Sequence, residues 1–322
     1  MDENMIEVKN LKKHFKSPKG MVHAVDDISF GIERGKTLGI VGESGCGKST
    51  TGRCVLRLIE PTAGQVFFNG VDICTLNKRE MKKLRSEMQI IFQDPYSSIN
   101  PRKTVLQIIE EPLKLSKVLQ DNSKTARENR VLELMETVGL AERLINSYPH
   151  ELDGGRRQRV GIARALAMNP QFIVCDEPVS ALDVSIQAQI LNLLKKLQNE
   201  FGLTYIFITH DLSVVNHFSN DIAVMYLGLL VEKASAVELF DNPTHPYTKA
   251  LLSAIPSPQT GKRKKRVILK GELTSPIDPP DECRFSKRCI YYNEKCATGT
   301  PPLEEISQNH FVACWRSNEE LD

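Results

Sequence analysis

The chain has 322 residues, with 42 Lys and Arg against 40 Asp and Glu, a net charge of +2 at pH 7. Its 41% apolar and 25% charged residues are those of an ordinary globular protein, long enough for one large domain and an appendage. The near-neutral charge gives no electrostatic argument for nucleic acid, no apolar run reaches the roughly 18–20 residues of a membrane span, and the acidic start Met1-Asp2-Glu3-Asn4 lacks a signal-peptide core. The expectation is a cytoplasmic protein that meets any membrane through a partner.

In chain order, alternating apolar residues predict strands through Ile6, Val8 and Leu11 to Phe15, and over 22–32 after the turn Ser17-Pro18-Lys19-Gly20. The apolar run 37–41 predicts a short strand entering Gly42-Glu43-Ser44-Gly45-Cys46-Gly47-Lys48-Ser49-Thr50, with a helix over 48–59. Residues 89–92 read as a buried strand. From 104 to 166 the spacing turns helical, with Leu132, Leu134, Met135, Val138 and Leu140 on amphipathic faces. Strands return at 172–175 and 205–209, separated by a helix over 185–201. The predicted fold is an α/β nucleotide-binding core with a helical subdomain, about 95–167, inserted between its phosphate motifs. Beyond 258 the basic run 262–266 and repeated prolines predict a loop-rich extension over 259–322.

The chemistry lies in three phrases. Glycines 42, 45 and 47 let backbone N–H groups turn toward phosphate oxygens at a helix start. Lys48 can reach the β- and γ-phosphates, and the Ser49 hydroxyl can hold Mg²⁺. In Phe172-Ile173-Val174-Cys175-Asp176-Glu177-Pro178 an apolar strand delivers Asp176 as a Mg²⁺ carboxylate and Glu177 as a base that polarises water. Gln93 and His210 end neighbouring strands in the same way. Between them stands Leu152-Asp153-Gly154-Gly155-Arg156-Arg157-Gln158-Arg159.

With Ser180-Ala181-Leu182-Asp183 and Thr209-His210-Asp211, this set resembles the ATP-binding cassette (ABC) family over roughly residues 5–256. The resemblance implies a P-loop ATPase core with an antiparallel β subdomain. It also implies a head-to-tail dimer, each ATP lying between one subunit's phosphate loop and the other's signature, here Asp153, Gly154 and Gly155. It would place Phe15 on adenine, Gln93 on the γ-phosphate, on Mg²⁺ and against a transporter, and Asp183 between the two sites. An aromatic at a strand end is by itself more often core.

The stretch 92–102, the approach Ser147-Tyr148-Pro149-His150-Glu151-Leu152, and His245-Pro246-Tyr247-Thr248-Lys249-Ala250-Leu251-Leu252 resemble dipeptide/oligopeptide permease ATPases, as does the cysteine tail. The implied role is Mg²⁺-dependent ATP hydrolysis driving peptide uptake at the cytoplasmic face of the membrane. Implied partners are a second, paralogous ATP-binding subunit, two transmembrane permease subunits and an extracytoplasmic peptide-binding protein, with no nucleic acid. Nickel or another small solute is the alternative cargo. A DNA-associated ABC ATPase and a non-catalytic assembly subunit are the other classes weighed.

Cys283, Cys289, Cys296 and Cys314 crowd the tail with C-x5-C-x6-C-x17-C spacing, which lacks the paired cysteines of most zinc ribbons. A cytosolic cluster of thiols reads first as a metal site. The permease resemblance favours a [4Fe–4S] cluster, with zinc or uncoordinated cysteines as alternatives. Arg284, Lys287, Arg288 and Lys295 would offset a cluster's charge. Cys46 is a small filler, or a reactive thiol at a helix start. ABC signatures commonly read Leu-Ser-Gly-Gly-Gln, so Asp153 stands where serine is usual. It either caps the following helix, is neutralised by an arginine, or weakens the ATP site that it serves.

Overall fold

The computed structural model describes residues 4–116, 118–255, 267, 269, 271, 275–317 and 319. The boundary near 258 and the basic run 262–266 lie outside them. The chain divides into two compact units, one of residues 1–32, 37–74 and 207–322, the other of 33–36 and 75–206.

In the first unit the long strands Asn4–Ser17 and Gly20–Glu33 form an antiparallel sheet with Ala63–Phe68 and Val71–Asp72. Its register sets Ile6 opposite Phe68 and Val8 opposite Val66, so one face of the alternating pattern is buried. A second sheet places Thr37–Val41 parallel to Asp221–Tyr226, which pairs antiparallel with Leu229–Ser235. Beyond that strand lie His310–Val312 and Glu304–Ser307. Thr37–Val41 is buried along its whole length, as expected of a parallel strand covered on both sides.

The extension past 258 runs back over this unit. Val22 bridges Ile277, and the Asp278 N–H donates to the Met21 carbonyl at 2.8 Å. The helix after the phosphate loop, Lys48–Val55, stops short of the expected residue 59. Arg57 takes φ 48°, and its guanidinium turns to Glu60 and to the Ile73 carbonyl at 2.7 Å.

In the second unit Met88–Ile91 and Phe172–Asp176 pair in parallel, Ile91 opposite Cys175. The expected helical stretch 104–166 resolves into Val105–Leu115, Lys124–Thr137 and Gly154–Leu166. Each start has its own cap: Thr104 with a Gln107 capping box, Ser123, and Asp153. Val184–Phe201 buries Ile190, Leu193, Leu194 and Leu197, a 3.6-residue stripe, and ends at Gly202 with φ 63°. The α/β architecture with an antiparallel β layer and a helical insertion is as expected. No helix among the described residues is long and apolar enough to cross a membrane.

Candidate nucleotide site

The phosphate loop belongs to the first unit, and its shape is set by backbone proximity. Gly42 has φ 151°, and a Cβ there would lie 2.2 Å from the Met225 carbonyl oxygen. Gly47 has φ 106°, and a Cβ there would lie 2.0 Å from the Ala24 carbonyl oxygen. A Cβ on Gly45 would meet nothing within 4 Å among the described residues beyond its chain neighbours, so the loop is closed behind and open in front. Lys48 is buried, 5% exposed, and its ammonium donates to the Gly42 and Glu43 carbonyls at 2.8 and 3.0 Å. Ser44 and Gly45 are exposed, while Ser49 and Thr50 are half-buried in the first helical turn. An open cradle of amides over a helix start, with a lysine threaded through it, fits a polyphosphate.

Phe15 is 38% exposed, with the Lys13 ammonium 4.8 Å from its ring centre, so it is not the core aromatic that base rates favour. Cys46 is a buried filler. Burial pushes its thiol up, which removes the expectation of a reactive, low-pKa cysteine. In the same unit His210 is exposed, and Asp211 caps the helix Leu212–Phe218.

The second unit holds the carboxylates. Asp176 ends its strand fully buried. Glu177 adopts φ 47°, a left-handed conformation uncommon for a non-glycine residue, and accepts a hydrogen bond from Gln93 Nε2 at 3.0 Å. Gln93 is thus brought to Glu177, as two strand-end polar residues in parallel neighbours should be.

Asp153 is the N-cap of Gly154–Leu166. Its carboxylate accepts from the Arg156 N–H at 2.7 Å, and Arg156 Nε lies 3.4 Å away. The capping and arginine readings therefore both hold. The glycine pair packs closely: a Cβ on Gly155 would meet Ile186 Cγ2 at 2.6 Å, while one on Gly154 would meet only the leucine methyl Leu182 Cδ2 at 2.9 Å, which a small side-chain shift clears. Asp183 caps Val184–Phe201 through the Ile186 N–H at 3.0 Å and also accepts from the Ser185 hydroxyl. These hydrogen bonds, backbone first, lower its pKa.

Sequence reasoning missed the partners of the tail. Arg284 pairs with Asp26, which also accepts from His14 and His23, and donates to the Leu227 carbonyl. Burial works to raise the Asp26 pKa, but the two histidine hydrogen bonds and Arg284 override it and bring it to about 2. Arg288 forks onto Glu43 at 2.8 and 3.2 Å. Lys287 meets Glu282 at 3.6 Å, and Lys295 lies 5.0 Å from the Trp315 ring centre. The basic residues expected to balance a metal cluster are engaged by protein groups. The signal was present in the sequence, since the tail and loop carry both signs, but pairing across more than 240 positions is not readable from one chain.

Residues 25–180 match the family described as ABC transporter, and residues 231–296 match the oligopeptide/dipeptide transporter C-terminal region. The chain is 57% identical over 315 residues to the oligopeptide transport ATP-binding protein OppF of Bacillus subtilis, covering 98% of this chain and 97% of that one. It is 50% identical to AppF of the same organism, with 97% of each chain covered. A putative peptide import ATP-binding protein of Brucella ovis is also 50% identical, over 98% of each chain. Among solved structures it is similar to the dimeric bacterial ABC transporter cassette MJ0796, with TM-score 0.66 and 35% identity over 72% of this chain and 99% of that one. A post-hydrolysis state of the same cassette bound to ADP and Pi matches with TM-score 0.66 and 34% identity.

These relatives correct the [4Fe–4S] expectation for Cys283, Cys289, Cys296 and Cys314: they are ordinary ABC ATP-binding proteins, and nothing found supports a cluster. With no metal bound, burial first and the neighbouring thiols after it push Cys283 up to about 12, and burial raises Cys289 and Cys314. The four cysteines line one small pocket together with His245, Phe285 and Trp315. Among the described residues only His14, His23 and Asp26 bring three candidate ligand atoms within 4.8 Å of one another. Asp26 of that trio is itself paired with the Arg284 guanidinium. By its motifs, its fold and its whole-length identity, the chain belongs to the ABC transporter family, among the ATP-binding proteins of peptide transport.

Proposed function

We propose that this chain is the ATP-hydrolysing subunit of a membrane importer, coupling ATP binding and hydrolysis to uptake of dipeptides or oligopeptides. The observation that carries this reading is 57% identity to an oligopeptide transport ATP-binding protein along 98% of the chain. The phosphate loop, closed behind by carbonyl oxygens and open at Gly45, agrees with it.

Residues 42–50 grip the ATP phosphates, and Phe15 offers its exposed face to the base. Glu177, oriented by Gln93, polarises the attacking water, and His210 contacts the γ-phosphate. Lys48 and the loop amides take up the negative charge that develops on the transferred phosphoryl group. Mg²⁺, held by Ser49, Gln93 and Asp176, adds charge neutralisation when bound. Asp153, Gly154 and Gly155 serve the ATP of a second subunit, and Asp183 links the two sites. The nucleotide-binding domain extends to about 258, with residues 259–322 as its extension. The protein sits peripherally on the cytoplasmic face, against two permease subunits fed by an extracytoplasmic peptide-binding protein. The second subunit is a paralogue, which makes the two ATP sites unequal.

The test is reconstitution with a paralogous ATPase, the permease pair and a peptide-loaded binding protein in vesicles. Peptide-stimulated ATP hydrolysis and peptide accumulation are expected, both lost in Glu177→Gln. Hydrolysis that is indifferent to Glu177, or uptake of nickel without peptide, would refute the reading.

A further inference from the structure

Glu43 is the only acidic residue of the phosphate loop 42–50. A carboxylate on a loop that wraps a polyphosphate repels it, more strongly as water is excluded. Its surroundings restrain it from three sides. Its N–H donates to the Tyr247 hydroxyl at 2.9 Å, and its carbonyl accepts from the Lys48 ammonium at 3.0 Å. Both carboxylate oxygens are taken by the guanidinium fork of Arg288 at 2.8 and 3.2 Å.

Arg288 is fixed in turn. Its side chain is 9% exposed, and it lies 5.9 Å from the Tyr226 ring centre. Phe285, one turn earlier in the tail, packs edge-on to Tyr226 at 5.2 Å and against Tyr247 at 5.5 Å. The tail thus reaches the loop through one aromatic cluster and one bidentate ion pair.

We propose that Arg288 is a positioning residue for the nucleotide: it neutralises Glu43 and holds its carboxylate to the tail side of the loop, so that the C-terminal extension sets the loop's affinity for ATP. This rests on the reading that the loop binds ATP. The Glu43 hydrogen bonds also hold the guanidinium firmly protonated, so the neutralising charge persists at every physiological pH.

The experiment measures binding of a fluorescent ATP analogue to the full chain, together with KM and kcat for ATP in the reconstituted complex. Arg288→Gln is expected to weaken binding about tenfold and to raise KM, with kcat within about twofold, and the loss should shrink at high salt. In the E43Q background the same substitution should cost less than about twofold, because the charge to be neutralised is gone. A merely structural tail contact would give the same loss in both backgrounds and no salt dependence, and that result would overturn the proposal.

If Arg288→Gln fails to fold, Arg288→Lys decides. Retaining the charge should keep affinity within about threefold, whereas a tenfold loss would refute charge neutralisation. Lys48→Ala separates the two levels of argument. If the wild-type chain shows no Lys48-dependent binding, the ATP reading falls. If it binds and Arg288→Gln binds equally well, only this inference falls.

Discussion

The phosphate loop and the signature are both glycine-rich helix starts, yet they are built oppositely. In the loop, backbone carbonyls of Ala24 and Met225 press against Gly47 and Gly42, and Lys48 is buried. In the signature, Asp153 stands exposed, held by one N–H of its own helix and a solvated arginine. A site specified by close backbone contact has no room for variation. A site specified by a cap accepts any residue that caps, which is why aspartate can stand where serine is usual.

The largest expected effect tests whether this chain's own catalytic set is intact despite the unusual signature. Glu177→Gln should lower hydrolysis in the reconstituted complex by roughly 10²–10⁴-fold, the range for loss of a positioned base. The matching change in the paralogous partner should do less. Equal losses would mean that Asp153 leaves both sites alike.

Next comes Gly47→Ala, which forces a Cβ against the Ala24 carbonyl in a left-handed backbone. ATP-analogue binding should fall by roughly a hundredfold while circular dichroism holds. Retained affinity would remove the claim that the loop is fixed by backbone proximity.

On the other side of the comparison, Asp153→Ala should cost about 1 kcal/mol of stability. That corresponds to a fall of roughly 1–2 °C in Tm for a chain of this size. Asp153→Ser, which keeps a cap, should leave Tm close to wild type. Equal destabilisation by both would contradict the capping role.

The smallest effect is on pH dependence in the first unit. The Glu232 hydrogen bond raises the pKa of His310 above the ordinary 6.5, so its contribution is complete below 6.5 and lost as pH rises through the folded value. Burial lowers His245 to about 4, so its neutral form favours folding above 6.5 and that advantage is lost as pH falls toward 4. Stability of this unit should therefore peak near pH 6.5. His310→Gln should flatten the alkaline limb in pH-resolved thermal melts.

Where structure depends on neighbours in the chain, the sequence reading succeeded. The strand Thr37–Val41, the phosphate loop and the buried Phe172–Asp176 strand are apolar runs ending in chemistry, and each forms as expected. The end of Lys48–Val55 failed because the turn at Arg57 depends on Ile73 and Glu60, not on helical periodicity. The tail failed for a different reason. Its thiols drew the argument toward metal, while its arginines were answering carboxylates at Asp26 and Glu43.

The Arg288–Glu43 pair spans 245 positions, and Arg284–Asp26 spans 258. During synthesis the phosphate loop emerges early, yet its acidic residue meets its counter-charge only after 245 further residues have been added. A nascent or prematurely terminated chain therefore presents Glu43 without its arginine, and the loop's charge is balanced only as one of the last steps of maturation.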